Sequence, residues 1–199
     1  VADVATMSFA DAQARLAQDS LVAVEQGENS LDIAAGIVIR TEPGAGARVD
    51  KDAEIDVYVS LGPAEASIPA LAGMSEAQAR ELFDTQFITV GDSARQFSAD
   101  VPVDIVLSAS VTPKAGGDPI DCTPGCVVRQ GDAASLLVSA GAVPAVSGST
   151  VGDATAALNA VELQVAGDTP SEYSNDIDEG LVIRIADREG GGPWAPGET

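Results

Sequence analysis
Two cysteines four residues apart carry most of the reactive side-chain chemistry in this sequence. They lie in Asp121-Cys122-Thr123-Pro124-Gly125-Cys126. Pro followed by Gly is a turn signal, because Pro fixes φ and Gly accepts a positive φ at the next position. A turn of that kind brings the thiols within bonding range, and the spacing predicts a disulfide. A structural zinc site needs about four Cys or His ligands, and the chain has no His. A redox pair of the C-x-x-C kind has a different spacing. A disulfide would place the module in an oxidising compartment outside the cytoplasm.

The absence of His also removes Ser-His-Asp, Cys-His and His-ligated metal schemes. Neither Lys51 nor Lys114 has a Ser three residues before it, so no S-x-x-K transpeptidase motif is present. There is no G-x-x-x-x-G-K-[ST] phosphate cradle and no kinase signature set. The run Asn175-Asp176-Ile177-Asp178-Glu179-Gly180 has some calcium-loop character. Ile177 falls on a ligand position, however, and the downstream Glu is missing, so the run is read as a hairpin loop. Catalysis, cofactor and metal are therefore not expected, and binding is the remaining class of function.

Charge narrows the partners. Against 31 acidic residues stand 10 basic ones, a formal net charge of −21. Such a chain repels nucleic acid and anionic lipid and lacks the basic stripe of a nucleic-acid binder. The acids are dispersed, as on a solvated surface. Two lysines beside abundant Ala, Asp and Arg point to a GC-rich bacterial genome. Aromatics are only 4% of 199 residues, so any core is built from Val, Ile, Leu and Ala, and several small units are expected rather than one large one. No apolar run approaches the roughly 20 residues that span a bilayer, and no signal peptide opens the sequence. The segment is expected to be soluble.

The elements that would position a site recur three times. Val1-Ala2-Asp3-Val4, Ile68-Pro69-Ala70-Leu71 and Val143-Pro144-Ala145-Val146 each precede a helix start. Ser8, Ser75 and Thr150 are the expected caps, with Asp11, Gln78 and Asp153 three residues on, as in a capping box. Apolar residues then follow at helical spacing: Phe9, Ala12 and Leu16; Ala79, Leu82 and Phe83; Ala154, Ala157, Leu158 and Val161. Helices this short are marginal alone and need a sheet to lie on. Strands are predicted at 21–24, 36–40 and 55–59, with counterparts at 163–165 and 180–184. The run Ile55-Asp56-Val57-Tyr58-Val59 alternates with period two. The fold class is therefore α+β: three tandem small domains in an extended array. Each is one helix on a three-stranded antiparallel sheet with a short N-terminal strand. The expected boundaries are 1–63, 66–141 and 143–199. The second copy carries an inserted loop, roughly 112–124. The third stops where its last strand should begin, so it is expected to fray or to be completed by a neighbouring chain.

This order of motifs resembles the PASTA domain. Its carriers are Ile68-Pro69, Gly73-Met74-Ser75, Gly36-Ile37-Val38-Ile39, Pro43-Gly44-Ala45-Gly46 and Val57-Tyr58-Val59-Ser60-Leu61-Gly62. Ala2 departs from the expected Pro and Thr6 from the expected Gly. The second copy has Val103-Asp104-Ile105-Val106-Leu107 in place of G-x-V-I. The resemblance implies the extracellular peptidoglycan- or muropeptide-sensing region of a membrane-anchored serine/threonine kinase. Its place would be the outer face of the membrane, or the cell wall, of a Gram-positive, actinobacterial-like organism. The alternatives are the tail of a penicillin-binding protein and a wall-anchoring spacer array. Implied partners are peptidoglycan fragments or β-lactams, with self-association left open. Such ligands offer a carboxylate, amides, sugars and often a free amine. Arg40 and Arg184 sit at equivalent strand ends, where a guanidinium can clamp a carboxylate; the alternative, preferred here, is pairing with neighbouring acids. Trp194, between Pro193 and Pro196, either stacks on a sugar or caps a small core.

Overall fold
The computed structural model describes residues 1–167, 169–188 and 190–199. In chain order the elements are α1 (Phe9–Gln18), β1 (Val22–Glu28), β2 (Val38–Glu42), β3 (Glu54–Ser60), β4 (Glu65–Ile68), α2 (Glu76–Thr85), β5 (Thr89–Val90), β6 (Ala94–Gln96), β7 (Val106–Thr112), β8 (Ile120–Asp121), β9 (Cys126–Arg129), β10 (Ala133–Ser139) and α3 (Val151–Asn159). They sort into two compact units. One comprises 1–67 with 86–88 and 127–132, the other 68–85, 89–126 and 133–199.

The first unit begins with a helix started by its cap. Ser8 Oγ accepts from the Asp11 backbone N–H at 3.2 Å and donates to the Asp11 carboxylate at 2.7 Å, satisfying an end that would otherwise expose orphan donors. The helix buries Ala12 and Leu16 fully. Against them stand Ile55, Val57 and Val59 of β3, with Val4, Leu21 and Val38. The alternation read from the sequence thus sends one face of β3 inward and sends Asp56 and Tyr58 out.

The sheet order is β1-β3-β2. β2 runs antiparallel to the central β3, but β1 runs parallel to it. The expected all-antiparallel sheet is therefore corrected to a mixed one. β3 spends one edge on its hairpin predecessor β2, and its remaining edge meets β1, which runs in the same direction. The leading strand expected of every copy occurs among the described residues only as β4, which pairs with β9. In the same unit Gln130 N–H donates to Ala64 O at 3.0 Å, and Gly131 N–H to Phe87 O at 2.8 Å.

The second unit repeats the plan with β10 in the central place. β10 pairs parallel with β5 and β6 and antiparallel with β7. α2 starts on a reciprocal capping box: the Ser75 N–H donates to Gln78 Oε1 at 3.0 Å, and the Gln78 N–H to Ser75 Oγ at 3.3 Å. Its Ala79 and Phe83 are fully buried. The inserted loop leaves β7 and returns as β8, paired Ser110 to Asp121 and Val111 to Ile120.

α3, capped by Thr150 Oγ1 on the Asp153 N–H at 3.1 Å, belongs to this unit too. Beyond it the strands expected at 163–165 and 180–184 are not formed among the described residues. A lone bridge joins Thr150 to Leu181. The reason lies in the strand order. In the first unit the last strand stands between the other two, and within 143–199 no described segment takes its place. The lead-in to that place is nevertheless present. Gln164 N–H donates to Glu198 O at 2.9 Å and Gly197 N–H to Glu162 O at 2.7 Å. The corresponding bonds at the entry to β3 are Val22 to Ala53 at 3.0 Å and Asp52 to Ser20 at 2.8 Å. The core here is Phe97, Val146, Ala154, Leu158 and Leu163. Where fraying is expected, the Arg188 guanidinium grips the Glu198 carboxylate through Nε at 2.9 and 3.1 Å and also through Nη2, and Ala195 N–H donates to it at 2.9 Å. Among the described residues no helix is long and apolar enough to cross a membrane.

Candidate functional site
The recurring motif residues make one backbone scaffold. Ser60 and Ser139 are buried at 1% and 0% exposure. Ser60 Oγ donates to Ile33 O at 2.6 Å and accepts from Gly62 N–H at 3.0 Å. Ser139 Oγ does the same with Val101 O at 2.7 Å and Gly141 N–H at 3.0 Å. Gly62 and Gly141 take φ of 78° and 82°, a region in which a Cβ is strained. The V-x-V-S-x-G pattern is therefore the end of a central strand whose hydroxyl locks the loop leading into its antiparallel neighbour.

The departures in the motif have structural counterparts. Thr6 stands at φ 66°, where Gly73 has 81° and Gly148 has 79°. Asp104 takes φ 64° where Gly36 and Gly180 both have 86°. Asp is among the residues that tolerate this region, and its carboxylate meets Arg95 Nη2 at 2.8 Å.

Each side chain singled out by the sequence has a definite place. Arg40 projects from β2, two residues beyond Val38, whose N–H is fixed by Met7 O at 2.9 Å. Its guanidinium lies 3.6 Å from the centroid of the Tyr58 ring. It pairs with Glu28 at 3.0 Å and Glu42 at 3.4 Å, with about half of the side chain exposed. Arg184 has the equivalent position in the other unit, two residues beyond Val182, whose N–H bonds Ser149 O at 2.9 Å. It pairs with Glu172 at 3.4 Å and Asp187 at 3.8 Å. The second copy has Ser108 at this position. Both arginines are thus held by acidic neighbours as they stand. Trp194 packs half-buried on the Phe97 and Leu158 core, and its carbonyl accepts from Phe97 N–H at 2.7 Å. Cys122 and Cys126 form the expected disulfide. In the loop at 174–177, Asp176 and Ile177 N–H both donate to Ser174 Oγ, at 3.2 and 3.1 Å. That is the turn found at Ser30, which accepts from Asp32 and Ile33.

One cluster was not singled out by sequence reasoning. Glu76, at the start of α2, accepts from Ser93 Oγ at 2.7 Å, Arg80 Nε at 2.9 Å and Arg95 Nη2 at 3.2 Å. The Ser93 hydroxyl, partly opposed by burial and helped by Arg80 and Arg95, holds this carboxyl below its ordinary 4.5. The i,i+4 spacing of Glu76 and Arg80 was a visible signal. The approach of Ser93 and Arg95 depends on tertiary folding. In the same unit Ala72, Gly73, Asp100, Val101, Pro102 and Ile105 line a shallow groove.

Comparison with known proteins gives this scaffold relatives. Residues 1–61 match the PASTA domain family. The chain is 36% identical over 81 residues to the serine/threonine-protein kinase PknB of Mycolicibacterium smegmatis, covering 41% of this chain and 13% of the kinase. It is 32% identical over 115 residues to the probable kinase PknB of Corynebacterium glutamicum, covering 57% of this chain and 16% of that one. The chain thus spans a small part of these relatives' length. In fold it is similar to the entire extracellular region of the Ser/Thr kinase PrkC from Staphylococcus aureus. That match has a TM-score of 0.52 at 22% identity and covers all of this chain and 67% of the other. Residues 1–61 match the PASTA domain, and the chain is similar in sequence to PknB serine/threonine kinases and in fold to the extracellular region of the Ser/Thr kinase PrkC.

Proposed function
We propose that this chain is the extracellular sensor region of a membrane-anchored serine/threonine kinase, built of PASTA-like repeats at 1–63, 66–141 and 143–199. We further propose that it binds peptidoglycan fragments. The observation that carries the reading is the family match at 1–61, together with the recurrence of the same hydroxyl lock, turn and capping geometry further along the chain. The disulfide supports an oxidising, extracytoplasmic setting.

The surface around Arg40 sets the ligand's chemistry. One guanidinium lies between two carboxylates and against a phenol ring. A bare carboxylate would have to displace Glu28 or Glu42. A ligand carrying both an ammonium and a carboxylate replaces each half of the ion pair at once, and a muropeptide stem is such a zwitterion. Exposed pairs of this kind are only weakly held against water, so the exchange is not prohibitive. Arg184 with Glu172 offers the same chemistry.

The test is an NMR titration with a purified muropeptide. Backbone shifts clustered at Arg40, Tyr58 and Arg184, abolished by Arg40→Ala with Arg184→Ala, are expected. Saturating muropeptide that leaves those signals unmoved overturns the sensor reading and leaves a spacer array.

A further inference from the structure
We infer that the Cys122–Cys126 disulfide is a redox-controlled clasp on residues 68–71, the segment by which the chain enters α2. The loop it closes is laid directly on that segment. Leu71 N–H donates to Thr123 O at 3.0 Å. Gly125 approaches so closely that a Cβ there would lie 3.1 Å from Ile68 O and 3.3 Å from Ala70 N, at a φ of +102°. Ile68 and Leu71 are buried, so the segment is a wall of the core and not a free linker.

The two ends of the loop are held differently. The Cys122 end is fixed to β7 by its own N–H on Ala109 O at 2.8 Å, and by the Ala109 N–H on Thr123 Oγ1 at 3.0 Å. The Thr123 N–H closes a further turn on Asp121 Oδ1 at 2.9 Å. Gly125 donates its N–H back to Cys122 O at 3.1 Å, a bond within the loop. The Cys126 end instead opens β9, which pairs with β4, and across the loop the disulfide is the covalent tie between that end and the β7 side.

Exposure fixes the chemistry of opening. Cys122 is fully buried, whereas Cys126 is half-buried and flanked by the exposed Pro124 and Val127. An external dithiol therefore attacks with its thiolate at the Cys126 sulfur and expels the Cys122 thiolate, which takes up a proton. The second thiol of the reagent then displaces Cys126 from the mixed disulfide. Two cysteine thiols and one oxidised cyclic reagent result, so electrons and protons balance.

The experiment is amide hydrogen exchange on the intact chain, oxidised and then treated with dithiothreitol, with reduction verified by mass. Exchange at Leu71 and Gly125 is expected to accelerate by about tenfold or more, while Leu136 and Val138 of β10 stay protected. After partial reduction and mixed-disulfide trapping, the adduct is expected on Cys126. Gly125→Ala keeps the disulfide but removes the fit, and is expected to speed exchange at Leu71 without reductant. Unchanged exchange at Leu71 in the fully reduced chain overturns the clasp. So does equal loss of protection in β10, which would make the bond a global staple.

Discussion

The first copy and the third start alike and finish differently. Both helices are capped by a hydroxyl three residues before an Asp, and both contain the same serine turn. Both bring a chain segment back to residues a few positions past the helix, Ser20 and Val22 in the first, Glu162 and Gln164 in the third. Only the first closes a three-stranded sheet among the described residues. Caps and turns are short-range and form wherever their few residues stand. A ladder needs its middle strand, and here that strand is the last one in the chain order of the copy. Among the described residues of the third copy, Trp194 packs on the core and Arg188 is salt-bridged to Glu198.

The largest test of this contrast is in the cores. Leu16→Ala is expected to cost about 3–5 kcal/mol in urea denaturation, because the site is fully buried between helix and sheet. Leu158→Ala, at 8% exposure and with no ladder behind it, is expected to cost about 2 kcal/mol, the low end for such truncations. Equal costs would show that the sheet adds nothing to the packing. Next come the buried hydroxyls of the first two copies, Ser60 and Ser139. Ser60→Ala or Ser139→Ala leaves a glycine N–H and a carbonyl without their partner, and should cost about 1–3 kcal/mol in the same measurement.

The smallest effect is in pH. The Arg188 guanidinium, with the Ala195 N–H, holds the Glu198 carboxyl below its ordinary 4.5. A depressed folded value means that this ion pair's contribution is complete above about pH 4.5 and fades as the pH falls through the folded value. Exchange at Gln164 and Gly197 should therefore accelerate under acid, beyond the intrinsic pH trend, before exchange at Val22 and Asp52 does. Simultaneous loss at both places would break the distinction between the copies.

Much of this was legible in the sequence, for identifiable reasons. The caps at Ser8, Ser75 and Thr150, the alternation of β3 and the turn at Pro124-Gly125 all depend on residues within a few positions of one another. The parallel pairing of β1 with β3 was not legible, since Val22 and Glu54 are far apart in sequence and alternation does not encode direction. The Glu76 cluster was half legible, through Arg80 but not through Ser93 or Arg95. At Arg40, strand position and pairing with an acid could be read, but the choice of Glu28 and the Tyr58 ring could not, because cross-strand neighbours follow from register.

The β1-β3-β2 order also bears on how such a chain emerges from a ribosome. β1 and β2 have no ladder to make with each other, so each sheet stays open until the final stretch of its copy is released. The hydrophobic faces of Val38 and Leu16 must wait for Ile55 and Val57. The first and second copies then commit late, and the growing chain exposes one unfinished sheet at a time instead of several.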